Sequence, residues 1–331
     1  MKPSTLYPLR FEPIYQYRLW GGWRLAEWLT APLPGDEPIG EAWLLSDRDD
    51  HPSVVSEGPL QGQTLGQLID QSPEPVLGKL AGRFHRFPLL LKFLDVNDTL
   101  SVQVHPSDRQ TQYIPAGETG KTEAWVVLEA GTKSRIYAGL NLGTTSENLR
   151  DAITNGTVAD HLPSFRPKSG DSVLIPAGSV HSLGDLVVFE VQQNSDVTFR
   201  LYDWNHIDSK TGQPRPLQVQ QAMACIDFEQ GAIEPVMPIV EDQAPVLRER
   251  LLSCEYFGLR RLSGDSPFTV GATREPRVLV SIGGEGQLEH DGANYDLGKG
   301  DVILLPAVVG ACCCRPRGAM ILLELSLPEG A

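Results

Sequence analysis

Glycine and proline interrupt this chain at short intervals, 32 of one and 26 of the other among 331 residues. Between them lie short apolar runs such as PLLLKFLDV at 88–96, AWVVLEAG at 124–131 and DSVLIPAG at 171–178. Such runs read as strands bounded by turns, because proline removes a backbone donor and glycine weakens any regular element. Helical periodicity is confined to 64–77, to 145–159, which opens on the capping-box-like Thr145-Ser-Glu-Asn, and to 216–226. The expected fold class is mainly β with a few short helices.

A chain this long exceeds the ~250–300 residues at which one hydrophobic core stops growing, so two cores are expected. The segment 229–245, EQGAIEPVMPIVEDQAP, is rich in proline, glycine and acid, lacks periodicity, and is the linker candidate. It divides the chain near residue 235 into units 1–235 and 236–331. A phrase recurs across that division: GDSVLIPAGSVHSL at 170–183 and GDVILLPAVVGACC at 300–313. Each reads as a Gly-Asp turn, a strand and a Pro-Ala stop. Turn chemistry alone can produce this likeness, yet it also suits a duplicated β-barrel. The difference is informative: His181 falls opposite Ala311, which puts any metal chemistry in the first copy.

With 42 acidic against 28 basic residues, the net charge of −14 repels nucleic acid and anionic membrane, and neither is expected as a partner. A phosphorylated small molecule meets the same field and can bind only where basic side chains converge. The cysteines are Cys225, Cys254 and the consecutive Cys312, Cys313 and Cys314; they fit neither a disulfide framework nor CxxC zinc ligation. Reduced thiols are expected. The opening MKPSTLYPLRFEP lacks the apolar core of a signal peptide, and no run of ~18 apolar residues occurs. The expectation is a cytoplasmic protein, monomeric or homodimeric.

In SVQVHPSD, 101–108, strand alternation puts Ser101, Gln103 and His105 on one face and Val102 and Val104 on the other. Glu123 opens the next apolar run, and Lys121 shares its face. His181 follows Pro176 and Gly178, which shape a tight turn and leave the imidazole little freedom to lose. Taken alone, His105 reads equally as a hydrogen-bonded edge residue and Glu123 as a solvated strand end. Together His105, Glu123 and His181 supply the three protein ligands of a catalytic zinc site, with Gln103 as a weaker oxygen donor. Without thiolates, iron and manganese suit the same set.

The strings LLKFLDVNDTLSVQVHP (90–106), GKTEAW (120–125), PAGSVHSLG (176–184) and EVQQNSDVTFRLYDW (190–204) resemble, in order and spacing, type I phosphomannose isomerases of the short bacterial form. YQYRLWGGWRL (15–25) and IGEAWLLSD (39–47) resemble that family's entry segments, so the likeness covers roughly residues 10–210. The resemblance implies two fused jelly-roll cupin barrels, a metal-binding one with helical insertions over 1–235 and a degenerate, metal-free one over 236–331. It also implies one Zn²⁺ per chain and interconversion of mannose 6-phosphate and fructose 6-phosphate, a sugar phosphate being the partner. Carried over by residue, His105, Glu123 and His181 are metal ligands, with Gln103 implied by the longer eukaryotic members. Arg200 is the active-site arginine, Lys92 and Ser101 are polar residues near phosphate or sugar, and Glu41 is an active-site carboxylate that reads equally well as a turn cap.

Such a reaction moves a proton between neighbouring carbons through an enediolate whose charge needs stabilising. Arg200 is the expected cation, since a guanidinium stays charged and can fork onto an enediolate or a phosphate. Glu190 is either the base or the partner that orients Arg200, and Lys121 is a proton shuttle or phosphate anchor. Where short members commonly continue Tyr-Asp-Tyr-Asp-Arg, this chain reads YDWNHID at 202–208, with His206 at the last arginine, which bears on substrate affinity and choice. Two rivals remain: an isomerase of another sugar or sugar phosphate, and a non-enzymatic sugar-binding bicupin, which would not need Lys121, Glu190 and Arg200 around a metal set.

Overall fold

A computed structural model describes residues 6–208 and 210–327. The first part carries β1 (Ile14–Gly22), β2 (Ile39–Leu45), β3 (Leu89–Val96), β4 (Val102–Val104), β5 (Glu123–Ala138), β6 (Ser164–Phe165), β7 (Ser172–Ile175), β8 (His181–Gln193) and β9 (Phe199–Tyr202). Among the described residues these form one antiparallel sheet in the order β1-β2-β3-β8-β4-β9, with β5 pairing β8, β7 and β6 off that path. The second part carries β10 (Ile239–Asp242), β11 (Leu247–Ser253), β12 (Gly258–Gly264), β13 (Phe268–Val270), β14 (Arg277–Gly283), β15 (Gly286–His290), β16 (Ala293–Leu297), β17 (Val302–Leu305), β18 (Cys312–Pro316) and β19 (Met320–Ser326). These make two sheets, β10-β11-β12-β19-β14-β17 and β13-β18-β15-β16. The chain is mainly β, as its punctuation predicts.

The α-helices among the described residues fall inside the three periodic segments. These are α1 (Leu65–Gln71) and α2 (Pro73–Leu77), α3 (Ser146–Asn155), and α4 (Val219–Cys225). Thr64 and Thr145 each close a capping box, the hydroxyl accepting from the backbone N–H three residues on while that residue's side chain accepts from the cap. Among the described residues no helix is long and apolar enough to cross a membrane.

The repeated phrase has the same local physics in both copies. Gly170 (φ 93°) and Gly300 (φ 89°) take the left-handed conformation that only glycine adopts cheaply. Asp171 Oδ2 accepts from Lys168 N at 2.8 Å, and Asp301 Oδ2 accepts from Gly298 N at 2.7 Å. Each turn then feeds a four-residue strand, β7 or β17, that stops at a proline. Where β8 starts with His181, β18 starts one residue after Ala311 and presents Cys312 and Cys314 inward. Burial pushes those thiols up to about 11 and about 12, which makes them inert packing groups.

Two features lie beyond the sequence pattern. Leu9 exchanges both backbone hydrogen bonds with Leu304 of β17, at 2.8 and 2.9 Å, so the N-terminal segment is stitched to the second part. One apolar cluster also runs through Phe93, Val126 and Phe189 of the first part and Val278, Leu304 and Leu323 of the second. The candidate linker is not wholly irregular either, since β10 lies within it. That strand sits at a sheet edge with all four residues exposed, so no alternation marks it in the sequence.

Candidate metal centre and its cavity

The site is built on β4, where Val102 and Val104 enter an apolar cluster and leave Ser101 and Gln103 facing a cavity. Gln103 lies opposite His181 of β8 on one side and Arg200 of β9 on the other. Residues in register across a sheet project from the same face, so the three form one row. His105 continues the β4 face beyond the strand end, and its carbonyl accepts from Gly178 N at 2.9 Å. Gly178 has φ 89°, so the turn that aims His181 is tied directly to His105.

His105, Glu123 and His181 are 1%, 1% and 0% exposed, and their ligating atoms all lie within 4.8 Å of one another. Glu123 Oε2 is 3.4 Å from His105 Nε2, and Oε1 is 3.3 Å from His181 Nε2. Each Nδ1 faces a backbone carbonyl, that of Val197 at 2.8 Å for His105 and that of Ser179 at 3.0 Å for His181. A carbonyl only accepts, so Nδ1 carries the proton and Nε2 turns its lone pair inward, as second-sphere carbonyls do for metal-bound imidazoles. Burial, reinforced by the Lys121 ammonium, drives His105 down to about 3 against the pull of Glu123, and burial also lowers His181. Both rings are therefore neutral near pH 7.

This donor set fits a divalent metal ion. Among the described residues, His105 Nε2 and Glu123 Oε1 have no hydrogen-bond partner although fully buried, and Glu123 Oε2 has only the Lys121 ammonium, 2.9 Å away. Uncompensated buried acceptors are costly, and a cation among them removes that cost. Gln103 needs a change to join them, because its amide nitrogen, not its oxygen, faces His181 Nε2 at 3.2 Å. The amide becomes a ligand only when turned over.

Above this group lies a cavity of about 390 Å³, whose lining includes the candidate catalytic and substrate-binding residues Lys92, Ser101, Lys121, Glu190, Arg200 and Glu41. Glu41 is no turn cap; it sits within β2, bridging Arg18 at 2.9 Å and Lys92 at 3.5 Å, and accepts from Trp43 Nε1 at 2.7 Å. Burial would raise its carboxyl, yet Lys92 and Arg18 outweigh burial and hold it well below the carboxylate range. Glu190 does not orient Arg200. Its partners are Lys92, at 3.7 Å, and the Trp125 indole N–H, at 2.9 Å. Burial and the Glu123 charge raise it to about 7. Lys121 is raised too, with Glu123, Glu190 and Asp196 overcoming burial to hold its ammonium above the usual lysine value.

The cavity also takes residues that pattern reading did not select. Arg18, Asp196, Trp125 and Arg215 line it. Arg18 and Trp125 stand inside segments that carry the family likeness, so alternation from Trp20 and from Glu123 was the available signal. Arg215 lies in a loop between Pro214 and Pro216, where no periodicity exists to read. His206 is absent from the cavity lining; its Nε2 is 3.5 Å from Asp98 and its Nδ1 3.8 Å from Asp203.

Antiparallel sheets carrying a buried His–Glu–His group beneath a charged cavity define a small-molecule β protein equipped to hold a metal ion. Residues 9–160 match the family model of phosphomannose isomerase type I, catalytic domain. The chain is 35% identical over 312 residues to mannose-6-phosphate isomerase ManA of Bacillus subtilis, covering 92% of this chain and 95% of that protein. It is 32% identical over 305 residues to mannose-6-phosphate isomerase of Streptococcus mutans, covering 91% of this chain and 93% of that one. Its fold superposes on the crystal structure of mannose 6-phosphate isomerase from Bacillus subtilis with a TM-score of 0.88 at 28% identity, over 97% of this chain and 100% of that chain. The chain belongs to the type I phosphomannose isomerase family.

Proposed function

We propose that this chain interconverts mannose 6-phosphate and fructose 6-phosphate at the cavity, with one zinc ion held by His105, Glu123 and His181 and completed by Gln103. The observation that carries the reading is the set of partnerless ligating atoms directly under a cavity that brings Lys121, Glu190 and Arg200 together. Lewis acidity toward the carbonyl oxygen is the chemistry a bound ion supplies.

The side chains do the rest. Glu190 takes the proton from one of the two reacting carbons and returns it to the other, and a carboxyl poised near neutrality does both at little cost. Lys121 keeps its proton and donates a hydrogen bond to the oxygen on which charge develops. Arg200 adds a fixed positive charge, and Ser101, at 3.2 Å from Arg200 Nε, holds its orientation. Lys92, bridging Glu41, Glu190 and Asp196, sets a polar wall for the sugar hydroxyls together with Glu41.

The division near residue 235 into a metal-bearing and a metal-free cupin barrel belongs to this proposal. It is supported by sheets β1–β9 and β10–β19 that share no named strand, the Leu9–Leu304 bridge being a crossing contact, and by the His181–Ala311 difference. A cytoplasmic setting is supported by the unpaired thiols, all five cysteines being free.

The test is a coupled assay of fructose 6-phosphate formed from mannose 6-phosphate, run on one preparation as isolated, after chelation and after zinc is restored. Activity should vanish and return; a protein equally active after chelation excludes the metal reading. Arg200→Ala should keep its metal and lose about 10²–10³-fold in kcat, the usual loss on removing one preorganised charge or donor. Full activity in that variant removes Arg200 from the chemistry.

A further inference from the structure

We infer that Arg215, forked onto Asp203 and standing beside Arg200, is the specificity-determining residue that recognises the phosphate group of the substrate, and that His206 has no part in it. The inference rests on the proposed sugar-phosphate reading and assigns one end of the cavity.

The cations of the cavity are not equally available. Arg18 spends Nε and Nη2 on Glu41 and Nη1 on the carbonyl of Tyr17. Lys92 faces three carboxylates, Glu41, Glu190 and Asp196, and Lys121 faces Glu123. Every nitrogen of Arg18 is thus engaged, and each lysine faces at least as many carboxylates as it carries charges. Arg200 differs. Among the described residues it has no carboxylate at ion-pair distance; Nε donates to Ser101 Oγ at 3.2 Å and Nη1 to the carbonyl of Pro216 at 3.0 Å, which leaves Nη2 unused. Arg215 donates from Nε to Asp203 Oδ2 at 2.9 Å and from Nη2 to Oδ1, and its Nη1 is unused. The two guanidiniums thus stand against a single carboxylate, Asp203, held by Arg215 alone, and each has an amino group to spare. Burial and the positive charges of Arg215 and Arg18 lower the Arg200 pKa, and an anion between the guanidiniums relieves that repulsion.

The position suits a phosphate beyond the reacting carbons, with Arg200 between the metal group and Arg215 and able to serve both ends. Arg200 lies two strand spacings from His181 along the row through Gln103, about 10 Å at 4.8 Å per strand. The carbonyl end of a hexose phosphate at the metal group therefore carries its phosphate toward the arginines. Asp203, 6% exposed, fixes Arg215 in a bidentate fork, so little side-chain freedom is lost on binding. His206 is not among the cavity-lining residues; its Nδ1 stands 3.8 Å from Asp203 without a hydrogen bond, and its backbone N–H donates to the Asp203 carbonyl at 2.9 Å. The arginine-to-histidine difference at position 206 consequently leaves the anion end intact.

The experiment compares wild type, Arg215→Met, Arg215→Lys and His206→Ala, each with its melting temperature. Inorganic phosphate is titrated calorimetrically into chelator-treated protein, so that no metal competes for it, and kinetics are run on restored protein with mannose 6-phosphate and with mannose. Arg215→Met should weaken phosphate about tenfold to a hundredfold, the range for a charge-assisted hydrogen bond. The preference for mannose 6-phosphate over mannose, as a ratio of kcat/KM, should fall by the same factor, mainly through KM. Arg215→Lys, which keeps charge and size but not the fork, should fall between Arg215→Met and wild type. His206→Ala should bind phosphate like wild type. Unchanged phosphate affinity in a folded Arg215→Met, an equal loss on both sugars, or a His206→Ala loss as large as that of Arg215→Met overturns the inference. Arg215-dependent phosphate binding in a protein that fails to isomerise mannose 6-phosphate would uphold the anion site and sink the isomerase reading instead.

Discussion

His181→Ala is expected to yield a folded protein that neither retains a metal ion nor isomerises mannose 6-phosphate. His181 supplies one of three ligating groups clustered within 4.8 Å, and its Nε2 is oriented by the Ser179 carbonyl from the opposite side of the ring. Two remaining protein ligands plus a carboxamide facing the wrong way do not make a catalytic zinc site. Losing Lewis-acid stabilisation worth several kcal/mol corresponds to a fall in kcat of about 10³-fold or more. The ring is fully buried and packs edge-on against Trp125 at 5.5 Å, so truncation should also cost about 1–3 kcal/mol of stability. Metal content by mass spectrometry, turnover and a melting curve check this together. Stoichiometric metal in a folded His181→Ala protein would remove His181 from the ligand set.

Glu190→Gln should keep its metal and its fold yet lose about 10²–10⁴-fold in kcat, the usual contribution of a positioned general base. The amide is isosteric, and its oxygen can still accept from the Trp125 indole. What it loses is the ability to take a proton. The pH profile gives an independent readout. With Glu190 raised to about 7 by burial and by the Glu123 charge, its base form is depleted as pH falls through that value, so wild-type kcat should drop on the acid side. A cation bound at Glu123 offsets the repulsive part of that shift, which places the acid limb of the metal-loaded enzyme below about 7. In Glu190→Gln this limb should vanish. An unchanged acid limb, or kcat within a few-fold of wild type, would assign proton transfer to another group.

Much of the site was legible because it rests on short-range regularities. Two-residue alternation put Ser101, Gln103 and His105 on one face, and the fold gathers them at one cavity wall and its metal group. The same alternation joined Lys121 to Glu123, and Thr64 and Thr145 announced their helices through capping chemistry that involves only the next three residues. Such features depend on neighbours a few positions away, so the order of residues is enough to state them.

Charge pairing is of another kind. Glu190 met Lys92 and Trp125 rather than Arg200, Glu41 met Arg18 and Lys92, and Arg215 came to the cavity from a loop without pattern. Which cation is neutralised depends on carboxylates about a hundred or more positions distant, as Lys92 with Asp196 and Lys79 with Glu275 illustrate. The stitching of Leu9 to Leu304 and the exposed edge strand β10 are of the same origin, since only register between distant strands creates them. By itself, then, the sequence determined the β character, the helix starts and the three metal-competent side chains, all properties of local periodicity. Tertiary structure alone decided which charges remain free, because the electrostatic state of a buried group is set by every group that packs around it.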